Sequence, residues 1–424
     1  MSVYICANYL NTRKDIFYLL ETFKQQSKSD ELIILSKEDN ISEVPLDFFN
    51  LFQVESYKNL HPLKKLNVGF FYLFKIFGII PVEIKNNYNI IELFRISNSR
   101  KSKSKLLFDK IILLFSNYLG KLMSYDFYLN CLYVDFDKKF NFKKNDTFIF
   151  FSEIVDNELL YYLIKNNYKV FVYVYSWDHH FKFLSFSNRI NKYFVWNDTI
   201  KSDIARIHNI DLEKLVVAGS TQISFISNYK SILNKIKKIY DFLFVLSTGT
   251  HSLLVQELRL FKLLFNIYPD KNWAIRIYPF ISVDLINEFQ NIDSKIQILK
   301  PLDIKNSNYA DFIEEKILHL NSSRFIVHCG TTLGLESSYL GHNTVFITPK
   351  YRVDELDKLY NFIHQNQNDK YLVTQNENVI HNIADFDRIE DLPRVIFKEY
   401  NDIIKAYFPR SSMQTITKTI KNEI

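Results

Sequence analysis

Two patterns of apolar and polar positions alternate along this chain. Short, near-continuous apolar runs lie at residues 3–7, 31–36, 147–151, 170–175, 193–196 and 215–218, and again at 241–246, 273–277, 296–299, 324–327, 344–347 and 371–373. Longer stretches with helical spacing fall between them, for example 12–25 and 157–166, and the tail from residue 393 is amphipathic. Apolar runs of strand length that alternate with helices predict parallel sheets covered on both faces. A polar, Lys-rich stretch at 227–240 interrupts the alternation. The expected fold is therefore α/β, with two Rossmann-like domains facing a cleft. The expected domains are 1–230 and 231–400, followed by a C-terminal helix over 401–424 that can pack back on the first domain. No internal repeat is present.

Glycine use sharpens this picture. The 424 residues contain only eight glycines, against a usual share of about 7%. Five of them, Gly219, Gly249, Gly330, Gly334 and Gly341, fall near expected strand–helix junctions. In open α/β sheets ligands bind beyond the carboxyl ends of the strands, so chemistry is sought just after each run. Composition adds little specificity. The hydrophobic fraction of 47%, with 38 Phe and 27 Tyr, indicates a globular chain,. The net charge of +6 suits a phosphate-bearing ligand or an anionic membrane surface, and is too diffuse for nucleic acid,. Cys6, Cys131 and Cys329 are far apart and read as reduced cytosolic thiols,. The chain starts on a strand with no basic leader, which gives an expectation of a cytoplasmic protein.

One apolar stretch, residues 68–82, is shorter than the ~20 residues a membrane span needs. Lys75 and Pro81 interrupt it, and Lys64, Lys65 and Lys85 flank it. It reads as a buried helix or as an interfacial helix on the inner face of the cytoplasmic membrane, with 101–105 adding basic charge.

Three carboxylates sit where strand ends place function. Glu153 follows run 147–151, Asp178 follows 170–175, and Asp198 follows 193–196. Convergent carboxylates can divide the roles of nucleophile, general base and charge stabiliser. Each can equally be a helix cap or first-turn acid, and Asn197-Asp198-Thr199 is a good capping sequence. His179 and His180 follow Asp178; adjacent histidines lack the spacing of a metal site, and a substrate-orienting or proton-carrying role fits His179 better. In the second half, Ser247, Thr248, Gly249, Thr250 and His251 end a strand and can hold a phosphate. Arg276 ends the next strand and can pair with a phosphate, or form a salt bridge. Gly330, Thr331 and Thr332 lie where a strand meets a helix start, a natural anion site. Glu336 can reach a ribose hydroxyl, or close a capping box with Thr332. A P-loop lysine, a Gly-x-Gly-x-x-Gly turn and a Gly-x-Ser-x-Gly elbow are all missing, which disfavours ATP hydrolysis, dinucleotide redox chemistry and serine hydrolysis.

Taken together, Ser176-Trp-Asp-His-His180, Phe194-Val-Trp-Asn197, Val217-Ala-Gly-Ser220 and Gly330-Thr-Thr-Leu-Gly-Leu-Glu336 resemble motifs of bacterial surface-carbohydrate glycosyltransferases of the GT-B fold. They are most similar to the retaining β-Kdo transferases of O-antigen, capsule and lipopolysaccharide synthesis. The resemblance spans roughly residues 145–350. Where related transferases carry a His-Pro pair, this chain has Tyr278-Pro279. The resemblance implies a nucleotide sugar, CMP-Kdo, as donor substrate in the C-terminal domain. It implies a glycan or lipid-linked glycan acceptor in the N-terminal domain, and neither a metal nor another cofactor. It casts Asp178 as nucleophile or charge stabiliser, Glu153 as acid/base, and His179 as orienting group. A nucleotide-sugar epimerase of the same architecture and an inactive scaffold of a polysaccharide assembly complex are the alternative readings.

Overall fold

The computed structural model describes residues 2–7, 31–36, 53–56, 79, 81, 111, 114, 118–131, 140–151, 158–174, 186–221, 223, 226, 237–246, 251–278, 281, 283–302, 309–329, 331–346 and 412–423. The chain divides into two compact units: Met1–Thr221 with Asp354–Leu359 and Ser411–Ile424, and Gln222–Val353 with Tyr360–Arg410.

The first unit holds a seven-stranded parallel sheet in the order β3-β2-β1-β4-β5-β6-β7. Its strands are β1 (Ser2–Ala7), β2 (Glu31–Ser36), β3 (Gln53–Ser56), β4 (Thr147–Phe150), β5 (Lys169–Tyr173), β6 (Lys192–Val195) and β7 (Leu215–Val217). Every residue of β4 is buried, as are all but the first of β5 and β6. That is why these segments read as unbroken apolar runs: both faces are covered. Strand β3 escapes the pattern. Gln53-Val-Glu-Ser56 has one apolar residue in four, and its parallel pairing with β2 defines it. An edge strand needs hydrogen bonds on one side only.

Local chemistry sets the joints. Among the described residues, the helices α1 (Tyr125–Cys131), α2 (Glu158–Lys165) and α3 (Asp198–His208) accompany these strands. Asn197 caps α3 by accepting a hydrogen bond from the Ile200 N–H at 2.9 Å, and Asp198 lies in the first turn. Asp198 is thus one of the helix-start acids that the sequence allowed. Trp196, at the end of β6, is fully buried. The Val217-Ala-Gly-Ser220 turn is held from within the sheet. The Tyr173 hydroxyl donates to the Gly219 carbonyl at 3.3 Å and accepts from the Thr221 N–H at 2.9 Å. Gly219 has φ +90°, a backbone angle that a side chain disfavours,.

The second unit holds a five-stranded parallel sheet in the order β10-β9-β8-β11-β12. In chain order it runs β8 (Tyr240–Val245), α4 (His251–Ile267), β9 (Trp273–Arg276), α5 (Val283–Gln290), β10 (Gln297–Leu299), α6 (Tyr309–Asn321), β11 (Ser323–His328), α7 (Thr332–Leu340) and β12 (Asn343–Phe346). Side-chain alternation sorts it into two different faces. One face is hydrocarbon and aromatic: Phe242, Phe244, Trp273, Ile275, Val327 and Cys329 pack with Phe261 and Leu264 of α4 and Phe289 of α5. The other face buries polar groups, including Arg276, His328 and Thr344 from strands and Glu336, Ser337 and Ser338 from α7. The serines of α7 have partners. Ser337 shares a 2.9 Å hydrogen bond with Thr344, and Ser338 donates to the Gly334 carbonyl at 3.1 Å.

A last helix, α8 (Ser412–Glu423), belongs to the first unit. Ile416, Thr417 and Ile420 are buried. Lys169 donates to the Glu423 carbonyl at 2.8 Å, and Lys192 pairs with its carboxylate at 3.4 Å. Both lysines meet the negative end of the helix dipole. The expected helix 12–25, the strand 371–373 and most of the stretch 68–82 lie outside the described residues. Ile79 and Pro81, the two described members of 68–82, are buried, as the core reading of that stretch requires. Among the described residues, no helix is long and apolar enough to cross a membrane.

Candidate functional site

Strand order marks a candidate position for a site in each unit. In the first sheet the chain builds outward through β1, β2 and β3, then returns to place β4 beside β1. In the second it builds through β8, β9 and β10, then returns to place β11 beside β8. Such reversals open a crevice at the carboxyl ends of the two central strands, where open α/β sheets bind ligands.

The candidate residues cluster at these reversals. Glu153 follows β4, at the reversal of the first sheet, and Asp178 follows β5, its hydrogen-bonded neighbour. Glu153, Asp178 and His179 themselves lie outside the described residues, as does His180. In the second sheet, Ser247, Thr248, Gly249 and Thr250 follow β8, and Gly330 follows β11; these five also lie outside the described residues. His251 is the first residue of α4, and only its backbone is described. Thr331 is the N-cap of α7; its hydroxyl accepts from the Leu333 N–H at 3.4 Å. Thr332 follows as the first helical residue and is part-exposed. Two helix starts, of α4 and α7, therefore follow the two strands that flank the reversal. Their dipoles favour an anion there.

Register carries the site across the sheet. Leu299, Arg276, Val245, His328 and Phe346 form one row over all five strands. Neighbours in such a row point to the same face, so Arg276 and His328 flank Val245 on the polar side. Arg276 is 4% exposed. Its two terminal nitrogens reach the Glu315 carboxylate on α6 at 2.6 and 3.2 Å, and one of them also touches His319. His319 meets the same carboxylate at 2.7 Å. Burial alone would raise the Glu315 pKa, but the hydrogen bonds and charges of His319 and Arg276 override it and hold the group at about 2. The paired carboxylate offsets the Arg276 charge, so the guanidinium's own contacts are with α6. Next to Glu315 on α6, Lys316 pairs with buried Glu336 of α7 at 2.6 Å. Glu336 thus closes no capping box with Thr332: Thr331 is the cap, and Glu336 lies too far along the helix. Glu315, Lys316 and His319 were missed by sequence reasoning. Their helical spacing is visible at 315 and 319, but nothing in it names Arg276 as the partner.

His328 was also missed. It is fully buried, and desolvation lowers its pKa to about 3, so it stays neutral. Its Nδ1 accepts from the Thr331 N–H at 3.4 Å, tying the strand end to the cap of α7. Gly334 makes this packing feasible, because a Cβ there would overlap the imidazole ring. Gly341, by contrast, ends α7 as a C-cap with φ +91° and leads into β12, so it marks a helix–strand junction. Gly334→Ala is expected to cost about 1–3 kcal/mol, the range for overpacking. Urea denaturation would read it; a loss below about 0.5 kcal/mol would show that His328 moves freely aside. Among the described residues, no group of three or more His, Cys, Asp or Glu could hold a metal ion.

No known family model matches the chain, and no curated protein does. Solved structures do. MnaA of S. aureus in complex with UDP aligns over 100% of this chain and 97% of its own, at 13% identity and TM-score 0.52. A UDP-GlcNAc 2-epimerase from Methanocaldococcus jannaschii aligns over 100% of both chains at 13% identity, with TM-score 0.47. A glycosyltransferase from Rickettsia africae ESF-5 covers 100% and 98% at 11% identity, with TM-score 0.46. At such identities the likeness to MnaA speaks for the fold alone, and with the two parallel sheets it places this chain in the α/β architecture of the GT-B type.

Proposed function

We propose that this chain is a sugar-handling enzyme, a glycosyltransferase that takes its sugar from a nucleotide-activated donor. The observation that carries this reading is the coincidence of candidate residues with the strand-order reversals. Glu153 and Asp178 follow β4 and β5, while the Ser247–Thr250 and Gly330–Thr332 segments follow β8 and β11. In this reading the donor phosphate lies at the starts of α4 and α7, against Thr331 and Thr332, with Ser247, Thr248, Gly249, Thr250 and His251 on the other side. Glu336 lies under this cradle, joined to Lys316. Arg276 acts as a positioning residue that ties α6 to the carboxyl edge of the sheet.

The finer reading is transfer of Kdo from CMP-Kdo with retention to a glycan, free or lipid-linked, in bacterial surface-polysaccharide synthesis. It rests on the motif resemblance. The Asp178 carboxylate would attack the anomeric carbon as the bond to the nucleotide phosphate breaks and the phosphate leaves with the bonding pair. The acceptor hydroxyl would then displace Asp178 while Glu153 takes its proton, and His179 would orient the reacting groups. An epimerase acting on a uridine nucleotide sugar is a second reading, supported by the fold shared with MnaA bound to UDP.

Thermal shift against CMP, UDP, GDP and dTDP separates these. A bound nucleotide at 100 times its dissociation constant stabilises by about 2.7 kcal/mol. Selective stabilisation by CMP supports the transferase reading, and selective stabilisation by UDP the epimerase. No response to any nucleotide removes both and favours the scaffold reading. Thr332→Glu gives the site its own test. A first-turn acid suits a helix start but repels a bound phosphate. Nucleotide affinity is expected to fall at least about tenfold with the melting temperature retained, by about 1.4 kcal/mol of binding energy. Unchanged affinity by calorimetry would remove the phosphate from α7.

A further inference from the structure

His328 is an unfavourable residue for its position. It ends β11, is fully buried, and stays neutral because burial disfavours the charged ring. It shares its row with apolar Val245. A buried polar ring costs free energy that one long hydrogen bond only partly offsets. An apolar side chain of similar size would fill the place without that cost, so packing does not explain an imidazole here. The ring acts as an acceptor: its Nδ1 takes the Thr331 N–H at 3.4 Å, so the neutral ring carries its proton on Nε2. Gly334 lets the ring lie against the first turn of α7, where a Cβ would overlap it.

The backbone donors of that turn are nearly all taken. The Leu333 N–H goes to the Thr331 hydroxyl at 3.4 Å, and those of Gly334 and Leu335 go to the Thr331 carbonyl at 3.0 and 3.3 Å. His328 holds the N–H of Thr331 itself. Between Thr331 and Leu335, the Thr332 N–H is the one that meets no acceptor among the described residues. Thr332 is part-exposed, and its hydroxyl likewise meets no partner among the described residues. A helix start usually leaves several N–H groups open at once; here the open donors belong to one residue.

We propose that His328 is a positioning residue of the donor site: by accepting from Thr331 it fixes the turn so that Thr332, through its N–H and hydroxyl, is the residue of α7 that meets the donor phosphate. The inference rests on the phosphate reading of α7 given above. It adds which donors are used and what orients them. Fully buried, His328 acts through Thr331 and not on the ligand itself.

Thr332→Pro tests the donor. Proline at the first helical position deletes an N–H that no described acceptor uses, and its fixed φ suits a helix start. The residue before a proline must be extended, and Thr331 already is, at φ −110° and ψ 150°. The melting temperature is therefore expected to be retained. Affinity for CMP or UDP, whichever the wild type binds more tightly, is expected to fall at least about tenfold by calorimetry, as for a lost hydrogen bond to a charged group. Thr332→Ala keeps the N–H and is expected to lose less. His328→Leu removes the acceptor and is expected to weaken the same nucleotide about fivefold, the worth of one neutral hydrogen bond. His328→Asn, whose amide oxygen can stand near the place of Nδ1, is expected to recover most of that loss. Nitrogen NMR of the wild type needs no functional variant. The His328 signals, identified by their loss in His328→Asn, are expected to show an Nε2–H ring that does not titrate between about pH 5 and 8. An Nδ1–H or charged ring, or wild-type affinity in folded His328→Leu, would overturn the proposal. If Thr332→Pro keeps its affinity while Thr332→Glu loses it, the phosphate is at α7 on other donors, and this inference alone fails. If both keep it, or if the wild type binds neither nucleotide, the phosphate reading fails and the inference with it.

Discussion

Arg276→Ala is expected to destabilise the second unit by about 3–5 kcal/mol. Removing one partner of a buried ion pair leaves the other charge unmatched. Here the charge left behind is Glu315, whose side chain is 12% exposed and takes two contacts from Arg276. His319 remains within reach of the same carboxylate and can offset part of the loss. Replacing the pair together, Arg276→Met with Glu315→Leu, is expected to recover most of the stability, because an apolar pair of similar volume often matches a buried ion pair. Urea denaturation of the three proteins measures this directly. A single variant within about 1 kcal/mol of wild type would show that the pair contributes little. If folded Arg276→Ala keeps its stability and loses nucleotide affinity, Arg276 touches the phosphate itself.

Acid titration reads the same network with a definite sign. The Glu315 pKa is depressed in the folded state to about 2, below an unfolded value of about 4.3. Its contribution is therefore present at neutral pH and is lost as pH falls between those values. His328 and His342 are depressed by burial to about 3 and about 4, with nearby Lys238 adding to the effect on His342. Below an unfolded value of about 6.5, the unfolded chain takes up protons that the folded one refuses. Stability is thus expected to start falling near pH 6.5 through the histidines, and to fall more steeply below about pH 4.5 as Glu315 is titrated. Arg276→Ala should flatten the second stage and leave the first.

Asp178→Asn and Glu153→Gln are each expected to lower turnover at least about 100-fold, or about 2.7 kcal/mol of transition-state stabilisation, with little change in melting temperature. Both substitutions keep shape and most capping capacity, so they separate chemistry from structure. The expectation rests on position. Residues 152–157 begin just past β4, at the reversal beside β1, and Asp178 comes after β5 in the next place. If Asp178 is the nucleophile, its variant should fail to form a covalent glycosyl intermediate. The Glu153 variant should form one slowly and release it more slowly still. Consumption of nucleotide sugar and mass spectrometry of the intact protein would follow both steps. Near-normal turnover in both variants would return the two acids to helix starts, where Asp198 already resides.

Burial pattern was legible in the sequence because it is local. A strand covered on both faces must be apolar throughout, so Phe148–Phe150, Val170–Tyr173 and Phe242–Val245 announced themselves, and their alternation with helices implied parallel pairing. The cap at Asn197 was equally local, since a side chain and an N–H three residues on suffice for it. The carboxyl-edge rule then marked Glu153, Asp178 and the Thr331-Thr332 segment before any strand order was known. Only the tertiary structure decided which strands stand side by side, that β3 extends the edge, and that Arg276 and His328 share one row across the sheet. The partners of Arg276 lie 39 and 43 residues away on α6. They meet because the chain crosses from β10 to β11 over two intervening strands. Gly334 met His328 more locally, because the start of α7 lies against the end of β11 only a few residues on. A pattern along the chain records how much burial each residue requires, and the order in which strands pair decides what covers it.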